Sequence, residues 1–200
     1  MICLMLERAS SDTRCRILSA AERLFRDIGY QKTTVADIAK ALAMSPANVY
    51  RFFSSKKAIN EAVAERCVAE IDAALEAVAA GEGSATERMR RLLATMHSTV
   101  AQFGDADAKI HEMVEVAMAE SWGVVRAHID RMDRILTDLV RQGVASGEFT
   151  VESPEVAGPC IRAAMMRFCN PMVLRQCGEI PTPTLDQQIN FVLGAIGARR

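Results

Sequence analysis

The sequence predicts an all-α fold, and three observations carry that prediction. Ala, Leu, Met, Glu and Arg, all strong helix formers, dominate the 200 residues, while aromatics amount to 5%. Apolar residues recur every three or four positions along most of the chain, and no Val- or Ile-rich alternating run stands between turn residues. The few breakers, 11 Gly and 6 Pro, fall mainly between these periodic stretches. A composition 50% hydrophobic and 24% charged excludes a disordered or fibrous chain and suits one compact domain, or a small domain joined to a larger one.

Each element can be justified in turn. The stretch SSDTRCRILSAAERLFRDIGY offers Ser11 or Asp12 as an N-cap, sets Ile17, Ala21, Leu24, Phe25 and Ile28 on one face, and stops at Gly29. A short second helix follows, with Thr34 and Asp37 at capping-box spacing and Val35, Ile38, Ala39 and Leu42 facing inward. Ser45 caps a third, with Pro46 at its first position, running to about Phe53. A long helix from Ser55 to about Ala80 ends at GEGS, and further helices are expected at 84–103, 106–121, 122–146, 153–176 and 184–198, about nine in all.

Charge divides the chain. Residues 1–57 carry ten Lys/Arg against five acids, or +5, which leaves −6 for residues 58–200 in a chain of net charge −1. Phosphate contacts require local positive charge, so the mild acidity of the whole chain does not exclude a nucleic-acid partner. No apolar run reaches the ~20 residues of a membrane span, and MICLML is cut short by Glu7, too early for a signal peptide. A cytoplasmic protein with no membrane partner is expected. The six cysteines, Cys3, Cys15, Cys67, Cys160, Cys169 and Cys177, form no CxxC pair and read as small hydrophobes in a reducing compartment, with redox sensing as the alternative.

Two short helices joined by a tight turn and braced by a longer one form a helix-turn-helix module. In the third helix Val49 and Phe52 or Phe53 can pack inward, leaving Ala47, Asn48, Tyr50 and Arg51 outside. Small residues at the helix start allow close approach to a major groove, Asn48 can pair with an adenine edge, and the Tyr50 hydroxyl can hold a phosphate. Lys56 adds a charge beside the free N–H groups of the next helix. Spacing alone leaves open an ordinary solvated face.

The stretch ILSAAERLFRDIGYQKTTVADIAKALAMSPANVYRFFSSKKAI closely resembles the DNA-binding domain of the tetracycline-repressor (TetR) family. It carries that family's Ile-Leu-x-Ala-Ala-x-x-Leu-Phe-x-x-x-Gly-Tyr, Thr-Thr-x-x-x-Ile-Ala and Tyr-x-x-Phe-x-Ser-Lys patterns in order, and LVRQGVASGEF resembles the turn between the family's seventh and eighth helices. The resemblance implies a homodimeric DNA-binding repressor with a DNA-binding domain at 1–57 and a ligand-binding and dimerisation domain at 58–200. It puts Thr33, Thr34, Tyr50 and Lys56 on phosphates, and Ser45, Pro46, Ala47, Asn48 and Arg51 near bases of a palindromic double-stranded operator. One departure stands out: the turn position usually held by Gly is Ala43, which costs on the order of 1 kcal/mol where φ is positive.

For the acidic body the resemblance implies a small-molecule effector. Met96, Val100, Phe103, Met113, Met118, Trp122, Ile129, Met132, Met165 and Phe168 form a methionine-rich apolar set that can line a deformable, mostly hydrophobic pocket, although core packing explains the same stripes. His97, Thr99, His111, Glu115 and His128 are the polar candidates. Ile161, Ala164, Leu185, Ile189, Val192, Leu193 and Ile196 mark the last two helices as a dimer interface, with a monomeric core as the competing account. His111 and Glu115 stand four apart without further ligands nearby, so no metal is expected. No catalytic constellation or cofactor motif can be defended, and a non-enzymatic protein is expected. The alternative to an effector is control of the same fold by a protein partner or by cysteine redox state.

Overall fold

The computed structural model describes the backbone of residues 2–104, 116, 122–170, 173, 181 and 183–198, and side chains within them for 11–101, 116, 123–170, 173, 181 and 183–198. Among the described residues there are nine helices and no strand: α1 (Ile2–Ile28), α2 (Val35–Ala41), α3 (Pro46–Tyr50), α4 (Lys56–Ala79), α5 (Ala85–Gly104), α6 (Trp122–Ala145), α7 (Pro154–Ala164), α8 (Met166–Cys169) and α9 (Leu185–Ala195). The helix expected at 106–121 lies outside them, apart from Val116. The chain groups into two compact units, Met1–Val68 with Ala106–Val124, and Ala69–Asp105 with Val125–Arg200. The division expected at residue 57 falls just inside α4, whose Ile59, Ala62 and Val63 lie in the first unit's core.

In the first unit α1 is longer than expected. It starts at Ile2 rather than after a cap at Ser11 or Asp12, because residues 2–10 contain no Gly or Pro and several strong helix formers. It stops where expected, at Gly29, which takes φ 95°. Ile17, Ala21 and Phe25 are buried with Val35, Ile38 and Ala39 of α2, Val49 of α3 and Phe53. Ile28, assigned to the inward face, is 40% exposed: it lies in the last turn, beyond the reach of that core.

In the second unit, α5 packs Met89, Leu92, Leu93 and Met96 against Leu136, Leu139 and Val140 of α6 and Ile189, Val192 and Leu193 of α9. The α6–α7 turn shows why LVRQGVASGEF reads as it does. A Cβ at Gly143 would stand 2.1 Å from the Phe149 ring, so only glycine lets this buried ring lie on the helix. Gly147 supplies φ 76° for the turn. Glu148 then reaches the start of α5, accepting from the N–H groups of Ala85 and Thr86 at 2.9 Å each, and from the Thr86 hydroxyl at 2.9 Å. These donors, the Thr86 and Ala85 N–H groups first, hold its carboxyl down at about 2.

The single helix expected at 153–176 is broken. α7 ends at Ala164, Met165 forms a turn, and α8 lasts only to Cys169. Asn170 is extended (φ −111°, ψ 118°), the conformation imposed on a residue before proline, here Pro171. α9 begins as expected, with Thr184 and Gln187 forming a reciprocal capping box.

Candidate nucleic-acid interface

The α2–α3 motif is built from short local bonds. The Thr34 hydroxyl accepts from the Asp37 N–H at 3.1 Å, and the Asp37 carboxylate accepts from the Thr34 N–H at 2.9 Å and from its hydroxyl at 2.6 Å. Those Thr34 donors lower the Asp37 pKa from its ordinary value. At the far end of α2, Ala43 takes φ 54°, allowing the Met44 N–H to reach the Ala39 carbonyl at 2.9 Å. Ser45 then caps α3 by accepting from the Asn48 N–H at 3.2 Å, with Pro46 in the first turn.

This geometry turns one side of α3 outward. Val49 is buried, while Ser45, Pro46, Ala47 and Arg51 are exposed, Asn48 is half-buried, and Tyr50 is 51% exposed. Thr34 is exposed at the start of α2. The resulting surface has a small-residue helix start, one amide, one phenol and one guanidinium, which suits base edges and phosphates.

Two residues assigned to phosphates are arranged differently. Thr33 is fully buried: its hydroxyl donates to the Gly29 carbonyl at 2.7 Å and its N–H to the same carbonyl at 3.2 Å. Burial behind the end of α1 removes its side chain from any phosphate, and it serves to fix the α1–α2 connection next to Thr34. Lys56 is half-buried, its ammonium 4.2 Å from the Tyr30 ring centroid and donating to the Gln31 carbonyl at 3.2 Å. Sequence reasoning also missed Arg14, whose guanidinium lies 4.3 Å from the Phe53 ring centroid and donates to the Phe52 carbonyl at 3.3 Å. A contact across 38 residues leaves no local spacing signal.

The described residues assigned to the pocket are buried or half-buried. Met96, Met165 and Phe168 are buried in the second unit's core, Met132 packs against it half-buried, and Val100 and Ile129 are half-buried. Met113 and Met118 lie outside the described residues, as do His111, Glu115 and the side chains of Phe103 and Trp122. A groove of about 320 Å³ lies between α4 and α6, lined by residues including Glu76, Arg131, Arg134 and Leu139, and none of the described residues assigned to the pocket borders it. The polar candidates are occupied within the fold: His97 Nδ1 lies 2.9 Å from the Phe168 carbonyl, His128 Nδ1 2.6 Å from buried Asp72, and the Thr99 hydroxyl donates to the Thr95 carbonyl at 2.8 Å.

The interface assignment is corrected in the same way. Ile161, Ile189, Val192, Leu193 and Ile196 are buried within the protomer and Leu185 packs against them, leaving Ala164 alone exposed. The competing account, a monomeric core, explains these stripes. Among the described cysteines, Cys15 and Cys160 are exposed rather than core hydrophobes, Cys67 is half-buried, and burial pushes the Cys169 thiol up to about 12. No described helix is long and apolar enough to cross a membrane.

Residues 17–63 match the family of bacterial regulatory proteins named after tetR, and residues 85–192 match the tetracyclin repressor-like C-terminal domain. The chain belongs to the TetR family. The HTH-type transcriptional regulator UidR of Escherichia coli strain K12 is 34% identical over 58 residues, a stretch covering 29% of this chain and 30% of UidR. A TetR/AcrR-family regulator from Thermobifida fusca superposes with a TM-score of 0.61 at 26% identity, covering 94% of this chain and all (100%) of that one. A TetR-family regulator from Pectobacterium atrosepticum gives a TM-score of 0.70 at 18% identity, with 95% and 93% coverage. SmeT, the repressor of a Stenotrophomonas maltophilia multidrug efflux pump, gives 0.65 at 19% identity, with 91% and 89% coverage. The last two establish a shared fold. The protein is thus a TetR-family DNA-binding transcriptional regulator with an all-α fold.

Proposed function

We propose that this regulator is a cytoplasmic homodimeric repressor. Its two α3 helices occupy successive major grooves of a palindromic operator, and a small, mostly hydrophobic effector releases it. Tyr50 and Thr34 hold phosphates, while Ser45 to Asn48 and Arg51 face bases. The effector enters among the methionines of the body, whose unbranched side chains can repack around an apolar guest, and its effect on the heads passes along α4.

The observation that carries the dimer is that α9 places a large aromatic on the side away from the core. Ile189, Val192 and Leu193 fill the core, while Phe191, 69% exposed, stands with Gly194 and Ala195 on the opposite side. Beside it, joined by the Gln188 side-chain amide donating to the Ala164 carbonyl at 2.9 Å, α7 exposes Val156, Cys160, Ala163 and Ala164 at helical spacing. A large aromatic left exposed on the side of a helix away from its core calls for cover, and a second copy of the same two helices supplies it by twofold symmetry. The interface therefore lies on the outward faces of α7 and α9, which keep Ala164 of the residues first assigned and leave out the six that pack within the protomer.

Sedimentation equilibrium with fluorescence anisotropy tests this reading. The wild type should be a dimer and bind operator DNA as a dimer, whereas Phe191→Glu should be a folded monomer with operator affinity reduced on the order of a hundredfold or more, because one head is lost. A Phe191→Glu protein that remains dimeric would place the interface elsewhere.

A further inference from the structure

We propose that Arg14 is a positioning residue for operator specificity, holding α3 at the angle that its base contacts require; this rests on the reading of α3 as the recognition helix. The carbonyl that Arg14 engages belongs to Phe52, in the turn where α3 ends, and the ring beneath its guanidinium belongs to Phe53, which is buried in the core. One exposed side chain of α1 thus grips both the exit of α3 and the aromatic anchor behind it. The fork of the guanidinium allows this: one N–H donates while the planar face rests on a ring, a pairing that an ammonium does not reproduce in the same geometry.

The need for such a grip follows from the size of α3. It spans five residues, Pro46–Tyr50, and only Val49 among them is buried. Its N-terminal end is secured by Ser45, and the α1–α2 connection by Lys56 on Tyr30 and the Gln31 carbonyl. Without Arg14 the C-terminal end, which carries Tyr50 and Arg51, is held by the turn bonds of Phe52 and Phe53 to the Val49 carbonyl and by the buried Phe53 ring. Small rotations of a helix move its side chains off individual base edges, whereas attraction to phosphates tolerates them, so the loss should fall on specificity rather than on general DNA affinity.

The test compares wild type, Arg14→Gln and Arg14→Lys on a duplex selected from a random-sequence pool by the wild-type protein, and on a scrambled duplex, across a salt series. Arg14→Gln should weaken binding to the selected duplex on the order of tenfold, leave scrambled-duplex binding within about twofold, and leave the salt slope unchanged, with Arg14→Lys intermediate. Equal loss on both duplexes with a salt slope shallower by about one would make Arg14 a phosphate contact and overturn the proposal. A lower melting temperature with an intact specificity ratio would overturn it too, showing a purely structural role. A wild type that selects no sequence at all defeats the underlying reading of α3, a failure visible before any variant is made.

Discussion

In the head, Thr34, Ser45, Ala47, Tyr50 and Arg51 stand exposed around α2 and α3, while in the body Ile161, Ile189, Val192, Leu193 and Ile196, all assigned to a subunit interface, lie inside the protomer's own core. The two regions differ in the distance over which their structure is decided. The caps and turn of the head are closed by bonds between residues three to five apart, such as Thr34 with Asp37 and Met44 with Ala39. The body's helices carry apolar residues on more than one side, and the side that turns inward depends on helices distant in sequence.

The sharpest way to break this comparison is Met165→Ala. A fully buried methionine in a close-packed core should cost about 2–5 kcal/mol in urea unfolding. A cost below about 1 kcal/mol would mean that Met165 borders open space, as a preformed effector pocket requires. In the head, Asn48→Ala should lose about 1–3 kcal/mol of discrimination at one base position while leaving binding to other sequences nearly unchanged. Competition binding against singly substituted duplexes measures it, and uniform loss at every position would disconnect Asn48 from base reading.

Glu148 sharpens the comparison from the body's side, because it is a local-looking cap supplied from far away. Glu148→Ala should cost about 1–2 kcal/mol at neutral pH. Its folded pKa, about 2, lies below its ordinary 4.5, so the wild type holds this contribution above about pH 4.5 and loses it as the pH falls through 2. The stability gap between wild type and variant should therefore close in acid, and a gap unchanged from pH 7 to pH 2 would remove the carboxylate from the cap. The smallest effect is expected at the turn. Ala43→Gly relieves φ 54° and should stabilise by up to about 1 kcal/mol, read as a higher melting temperature with DNA binding retained.

Much of the fold was legible because helix ends announce themselves. Thr34 and Ser45 cap as their spacing indicates, Gly29 and Gly147 stop helices with positive φ, and the strain anticipated at Ala43 is present. The errors have equally specific causes. Ser11 and Asp12 can cap a helix but lie within one, since nothing upstream breaks it. Asn170 before Pro171 ended a helix that the apolar stripe alone carried onward. Thr33 adjoins exposed Thr34 and Lys56 adjoins exposed Lys57 in sequence, yet the Gly29 carbonyl and the Tyr30 ring draw them inward.

The sequence by itself determined the helical class, most helix boundaries, the basic head and the family pattern, since each is written in residues within a few positions of one another. Tertiary structure decided that Ile189, Val192 and Leu193 of α9 became core while Phe191 did not, that Met96, Met165 and Phe168 pack into the same core, that Glu148 caps a helix 62 residues upstream, and that Arg14 grips the exit of α3. Local hydrogen bonds can close between residues a few positions apart without distant contacts, whereas burial is settled only when distant helices compete for the same apolar surface.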